Sequence, residues 1–301
     1  MTIKEIYKKK YQINTYSGTL ALESVLRILT EEIKVKILIN SVTCYSVLQA
    51  ILNSNVECVI ATPNNGLVFT NDELEELVNK ENINTLLIVH PYGYIQDYKL
   101  IDGVTIIEDV SQAWNIKEEY KSDYIIESLG KTKPLSNGIG GVILTNNDIR
   151  DYFDYKTKED RYKNKTLIEY VYPLEIDEDK IIRKANINYR KRIKEATKLT
   201  NIFKKYNFID ISLNNITSSY HRYIIDTNNK EELLKIFDKV NLDYQLEFKK
   251  DLGEIPISNN KKIKVIKTNN KKQFILIKTT NTIETINNLQ KEMKNYYENK
   301  S

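Results

Sequence analysis

The stretch Ser128–Gly141, SLGKTKPLSNGIGG, holds two lysines and four glycines. Its Gly130-Lys131-Thr132 imitates the end of a phosphate-binding loop of the form G-x-x-x-x-G-K-S/T. In that pattern the first glycine would fall at position 125, which is Ile125, and the preceding SDYIIES offers no glycine turn. A nucleoside-triphosphate cradle is therefore disfavoured. A flexible basic hairpin ahead of the strand GVILT, or a loop in which one lysine has its own chemistry, remains.

Working outward from this loop, DYIIES and GVILTN read as the strands that flank it. Upstream, TLALESVLRILTEEI puts Leu22, Val25, Leu26, Leu29 and Ile33 on one helical face. KVKILIN, VECVIAT, TLLIVH and VTIIED read as short buried strands, and SVLQAILNS and TNDELEELVNK as helices between them, the latter with an N-cap signal. Strands alternating with helices predict a mostly parallel sheet covered by helices on both faces. Such sheets bind ligands beyond the carboxyl ends of their strands.

Downstream, YFDYKTKEDRYKNKTLIEY is charged and aperiodic and reads as a connection. A long charged helix is expected over DEDKIIRKANINYRKRIKEATKLTNIFKKY. A strand SYHRYIIDT, a helix NKEELLKIFDKV, strands KKIKVIK and QFILIK, and a helix TIETINNLQKEMKNYY follow. The expectation is a large domain over 1–176 and a small α+β domain over 177–301.

Bulk properties narrow the classes. The 301 residues are 41% hydrophobic and 29% charged, a normal globular mix with room for two lobes. The net charge of +4 is interspersed, so no nucleic-acid partner is expected. Cys44 and Cys58 are read as reduced thiols in apolar stretches, and two histidines and two cysteines give no metal-ligand spacing. The N-terminal MTIKEIYKKKYQINTYSG lacks an apolar signal core, and no long apolar run predicts membrane insertion. A cytoplasmic location is expected.

Several polar residues fall at predicted strand ends. Asp109 follows VTIIE, His90 ends TLLIV, Ser128 ends DYIIE with Lys133 five residues later, and Ser17-Gly18-Thr19 opens the first helix. A lysine, an acid, a hydroxyl and a helix N-terminus are the groups that hold pyridoxal phosphate. Its aldehyde needs an amine. Its pyridine nitrogen keeps a proton beside a carboxylate such as Asp109. Its phosphate suits the free N–H groups where a helix opens. Each residue also has a plainer reading: Asp109, Ser17 and Thr19 as caps, Ser128 and Gln112 as loop hydrogen-bonders. His90 reads as a strand-end hydrogen-bonder, His221 as packed in the small lobe, and Lys131 as a solvated charge.

The ordered set SGTLAL, HPYG, IIEDVSQA, SLGKTKPLSNGIGG and YHRYII resembles the sugar aminotransferases of the DegT/DnrJ/EryC1/StrS family, which have the aspartate-aminotransferase-like fold of type I. The resemblance implies that the T-K-x-L-x-x-G-x-G-G lysine is Lys133, not Lys131. It implies Asp109 at the ring nitrogen, Gln112 near the ring oxygen, and Ser128 with Ser17, Gly18 and Thr19 around the phosphate. The position of the ring-stacking aromatic falls on Cys44, beside Tyr45. Other departures are Ile139 in place of an acidic residue, the poor match of NINYRKRI to the N-Y-R-M segment, and only sixteen residues ahead of Ser17. The resemblance implies a homodimer that uses pyridoxal 5'-phosphate to aminate a keto nucleotide-sugar, with glutamate as donor, for surface polysaccharide or glycan precursors. The alternatives are a related dehydratase or decarboxylase, in which the dehydratase branch replaces the lysine by histidine, and a non-catalytic binding or assembly subunit.

Overall fold

The computed structural model describes residues 1–114, 119–153, 176–206, 208–210, 216–227, 230–246, 252, 262–267, 274–279 and 281–298. In chain order, the first half runs α1 (Ile3–Ile6), β1 (Tyr11–Thr15), α2 (Gly18–Glu32), β2 (Lys36–Asn40), α3 (Tyr45–Asn53), β3 (Glu57–Ala61), α4 (Asn71–Glu81), β4 (Thr85–Val89), β5 (Thr105–Asp109), β6 (Tyr124–Ser128) and β7 (Gly141–Thr145). The second half adds α5 (Glu178–Lys205), β8 (Ile209–Asp210), β9 (Arg222–Asp226), α6 (Lys230–Lys239), β10 (Tyr244–Leu246), β11 (Ile263–Ile266), β12 (Phe274–Lys278) and α7 (Ile283–Glu298).

Local chemistry sets the helix ends. The Ser17 hydroxyl caps α2 by accepting from the Leu20 N–H at 3.2 Å. Thr70 and Glu73 form a capping box at the start of α4. The α2 stripe buries Leu22, Val25, Leu26 and Leu29, but Ile33 is extended and exposed. It closes the helix instead of extending its apolar face.

The large sheet has the order β1-β7-β6-β5-β4-β2-β3-β11. From β6 to β11 all neighbours are parallel, while β7 runs antiparallel to both β6 and β1. Along β2, Ile37 and Ile39 pack with α2 and α3, whereas Leu38 packs with α4. Alternate side chains thus feed opposite cores, which is why these strands read as continuous apolar runs. The architecture is the expected mixed α/β one, a mostly parallel sheet with helices on both faces.

The second sheet, β10-β12-β9-β8, is antiparallel and packs on α6, α7 and the distal half of α5. The proximal half of α5, through Ile181, Ile182 and Ala185, packs instead under the large sheet with Ile3 and Tyr7. One expectation is corrected. KKIKVIK forms a strand, but β11 does not join the small lobe's sheet: it pairs parallel with β3, Ile263 opposite Cys58. Most of the charged connection after Phe153 lies outside the described residues. Among the described residues no helix is long and apolar enough to cross a membrane.

Candidate active site

The carboxyl ends of β2, β4, β5 and β6 surround a cleft with about 650 Å³ of empty space, part of it open to solvent. Gly18, Thr19, Cys44, Asp109, Gln112, Ser128 and Lys133 all line it. Ser17 stands just behind, its hydroxyl engaged as the cap of α2.

Lys133 sits on the loop between β6 and β7. Its N–H donates to the Gly130 carbonyl at 3.0 Å, and the Leu129 and Asn137 N–H groups close the loop onto Gly140 and Leu129 carbonyls at 2.9 and 3.0 Å. In this turn Lys133 is half-buried against the cleft while Lys131 is exposed. The tip carries the exposed Ile139.

The opposite wall is the start of α2. The first N–H groups of a helix have no intrahelical acceptor. Leu20's is taken by Ser17, and Gly18 and Thr19 stand at the cleft. Glycine at 18 is a packing requirement: a Cβ there would lie 2.7 Å from the Ser128 Cβ. Gly141 is tighter still, with a Cβ falling 2.3 Å from the Ser17 carbonyl carbon. These two approaches bring the helix N-terminus, the Ser128 hydroxyl and the lysine loop together.

Asp109 ends β5, and its Oδ1 accepts from the Ser111 N–H at 2.9 Å. Gln112 spends its carbonyl oxygen on the Tyr92 N–H at 2.8 Å, which leaves its amide hydrogens as the donating end. Cys44 caps α3 without a side-chain cap bond and is exposed in the cleft wall. It offers no aromatic face.

His90 also lines the cleft, but both ring nitrogens are occupied. The Gln96 N–H donates to Nδ1 at 3.1 Å, so the ring proton sits on Nε2 and is donated to Glu108 Oε1 at 2.9 Å. Glu108 accepts the Tyr98 hydroxyl on its other oxygen at 2.6 Å. The strand-end reading of His90 is the one the geometry fits. The His221 imidazole feels Arg222, Arg192 and Lys133 as its nearest charges. Burial, then those three cations, hold its imidazole pKa well below the ordinary value.

Sequence reasoning missed Ser111, Thr43 and Ser46, which line the cleft too. Ser111 is structural in effect: its hydroxyl accepts the Ser128 N–H at 3.0 Å and ties the end of β6 to the turn after β5. It lies inside the motif IIEDVSQA. Thr43 and Ser46 follow the end of β2, where the strand-end rule could have pointed to them.

No curated protein matches the chain. Solved structures match over nearly all of it. A DegT DnrJ EryC1 StrS aminotransferase from Brucella abortus has 14% identity and a TM-score of 0.72, covering 98% of this chain and 88% of that one. Helicobacter pylori PseC, an aminotransferase involved in the biosynthesis of pseudoaminic acid, has 18% identity and a TM-score of 0.71, covering 98% and 89%. The E. coli GDP-4-keto-6-deoxy-D-mannose-3-dehydratase with bound hydrated pyridoxal phosphate has 12% identity and a TM-score of 0.71, covering 97% and 89%. At these identities the likeness establishes the fold alone. The family itself is matched in sequence over residues 2–153, so the chain belongs to the DegT/DnrJ/EryC1/StrS aminotransferase family.

Proposed function

We propose that the protein is a pyridoxal-phosphate-dependent aminotransferase that converts a keto nucleotide-sugar to an amino sugar for surface polysaccharide or glycan synthesis, with glutamate as amino donor. The observation that supports this most is the convergence of Lys133, Asp109, Ser128 and the start of α2 on one cleft, with Lys131 turned to solvent. The donor set suits the cofactor: an amine, a carboxylate, a hydroxyl and free helix N–H groups, in a cradle that a Cβ at position 18 would fill. Asp109, Gln112, Ser128, Gly18 and Thr19 would bind it, with Cys44 against its ring and Ser17 holding the helix end.

When bound, pyridoxal phosphate supplies an aldehyde carbon and an electron-accepting ring. Lys133 would present its amine to that carbon and would serve as the acid/base group that moves a proton beside it. Asp109 holds a proton at the ring nitrogen. Gln112 donates from its amide hydrogens, because Tyr92 already occupies its carbonyl. The Ser128 hydroxyl and the Gly18 and Thr19 N–H groups orient the phosphate. On this reading the enzyme is a cytoplasmic homodimer. Lysine at 133 favours amino transfer over the dehydratase alternative. Cys44, where the resemblance expects an aromatic, is the observation on the side of a non-catalytic subunit.

The test is a purified protein incubated with pyridoxal phosphate, then with glutamate and a panel of keto nucleotide-sugars. Uptake of a yellow cofactor and formation of an amino sugar are expected. Failure to take up the cofactor would sink the enzymatic reading and favour the non-catalytic one.

A further inference from the structure

We propose that the hydrogen bond between Tyr7 and Glu127 is a latch through which α1 positions the lysine loop. The functional weight given to Lys133 rests on the aminotransferase reading above. Glu127 stands on β6 one residue before Ser128. Successive side chains of a strand point to opposite faces. Ser128 therefore lines the cleft, while Glu127 enters the apolar layer beneath, where it is fully buried. There the Tyr7 hydroxyl donates to Glu127 Oε2 at 2.7 Å.

The contact reaches the loop from two sides. Ile3 and Tyr7 pack in one apolar cluster with Leu129 and Leu135, which bracket Lys133 in sequence and are both fully buried. The polar bond fixes the strand end from which the loop departs. Beyond its own capping box at Thr2 and Glu5, α1 is anchored to the first turn of α5, where the Ile3 N–H donates to Glu178 Oε2 at 2.6 Å. A glycine-rich loop is costly in backbone entropy to hold in one shape. A rigid support beneath it supplies the missing restraint.

A carboxyl group is an expensive residue to bury at this point. Its other oxygen, Oε1, has no hydrogen-bond partner among the described residues. Leucine there would pack without that penalty. What the acid adds is direction: a hydrogen bond specifies one placement of α1, whereas apolar contact tolerates slippage. The charged and titratable groups around it are Tyr7, Tyr120, Asp109, Lys133 and Glu108. Burial pushes the Glu127 carboxyl well above the ordinary carboxylate range, against the opposing pull of the Tyr7 hydroxyl.

The test compares Tyr7→Phe, Glu127→Leu and Glu127→Gln with the wild type by two readouts. In unliganded protein, hydrogen exchange is followed in peptides covering 129–137 and, as a reference, in β2 to β4. Tyr7→Phe and Glu127→Leu are expected to speed exchange about tenfold in the loop and to leave the reference unchanged. Glu127→Gln keeps an acceptor for Tyr7 and should hold the loop at the wild-type rate. In cofactor-loaded protein, Tyr7→Phe should lower kcat about three- to tenfold at unchanged KM and weaken the visible circular dichroism per bound cofactor. Even acceleration across the whole chain, or Tyr7→Phe matching the wild type in loop exchange, would overturn the latch. If the wild type binds no pyridoxal phosphate, the aminotransferase reading falls, and the exchange data alone decide the latch.

Discussion

Two lysines on one short loop separate chemistry from surface charge. Lys133 faces the cleft and Lys131 faces solvent. Lys133→Ala should cost at least about 10²-fold in turnover, since it removes both the carbonyl partner and the proton carrier. The fold should survive, because a half-buried loop side chain leaves little cavity. Lys131→Ala should be nearly silent. Borohydride reduction of the loaded protein and peptide mapping check the assignment, with the label expected on Lys133. A label on Lys131 would show that the register through the loop is wrong. His221 makes a second residue-scale prediction, this time about pH. Its folded pKa is depressed by burial and by Arg222, Arg192 and Lys133. The unfolded imidazole takes up a proton below about 6.5, and the folded one does not. The stability that depends on neutral His221 is therefore complete above that pH and is lost as pH falls beneath it. The slope is at most about 1.4 kcal/mol per pH unit for one proton. His221→Gln should flatten the unfolding free energy between pH 6.5 and 5, and an unchanged slope would count against the assignment.

At the scale of elements, the site depends on how closely α2 approaches β6 and β7. The sequence marks the contact with glycine at 18 and 141, and the packing explains both: neither position has room for a methyl group. Gly18→Ala would press on the Ser128 Cβ and should push the start of α2 off the end of β6. The expected cost is about 1–3 kcal/mol in stability, as for overpacked sites, together with a loss of cofactor affinity from the displaced N–H groups. Gly141→Ala meets backbone at Ser17 instead of a side chain, and should be worse in both respects. Chemical unfolding and cofactor titration measure the two effects. Equal affinity in wild type and Gly18→Ala would show that the α2 terminus does not hold the phosphate.

For the whole molecule, the two lobes are joined by more than a linker. α5 contributes to both cores, and β11 crosses back to edge the large sheet beside β3. Between the lobes, the Gly93 carbonyl accepts from the Ser219 N–H at 2.8 Å and the Ser218 hydroxyl at 3.0 Å, and the Tyr94 hydroxyl accepts the Ile224 N–H at 3.1 Å. The turn carrying those groups also supplies the Tyr92 N–H to Gln112, so the lobe contact and the candidate cofactor contact share one segment. Exposed Ile139 at the tip of the lysine loop and exposed Tyr45 beside Cys44 leave apolar surface around the cleft. Sedimentation at working concentration is expected to give twice the 35.3 kDa mass of the chain. A monomer throughout would count against the homodimer.

The sequence alone determined the alternation of helices and strands in the large lobe, because strands buried on both faces read as apolar runs and capped helices carry their own stripe. It also marked part of the cleft, since motifs at strand ends keep their order whatever the packing. It did not reveal β1, whose YQINT alternates polar and apolar residues at an edge, nor the sheet that β11 would join, because a strand carries no label for its partner. Only the tertiary structure decided that His90 is consumed by Gln96 and Glu108, that Ser111 ties two strand ends, and that Tyr7 meets Glu127 across 120 residues of chain. Periodicity is a property of neighbours in sequence. A hydrogen bond between distant side chains exists only once the layers between them have packed.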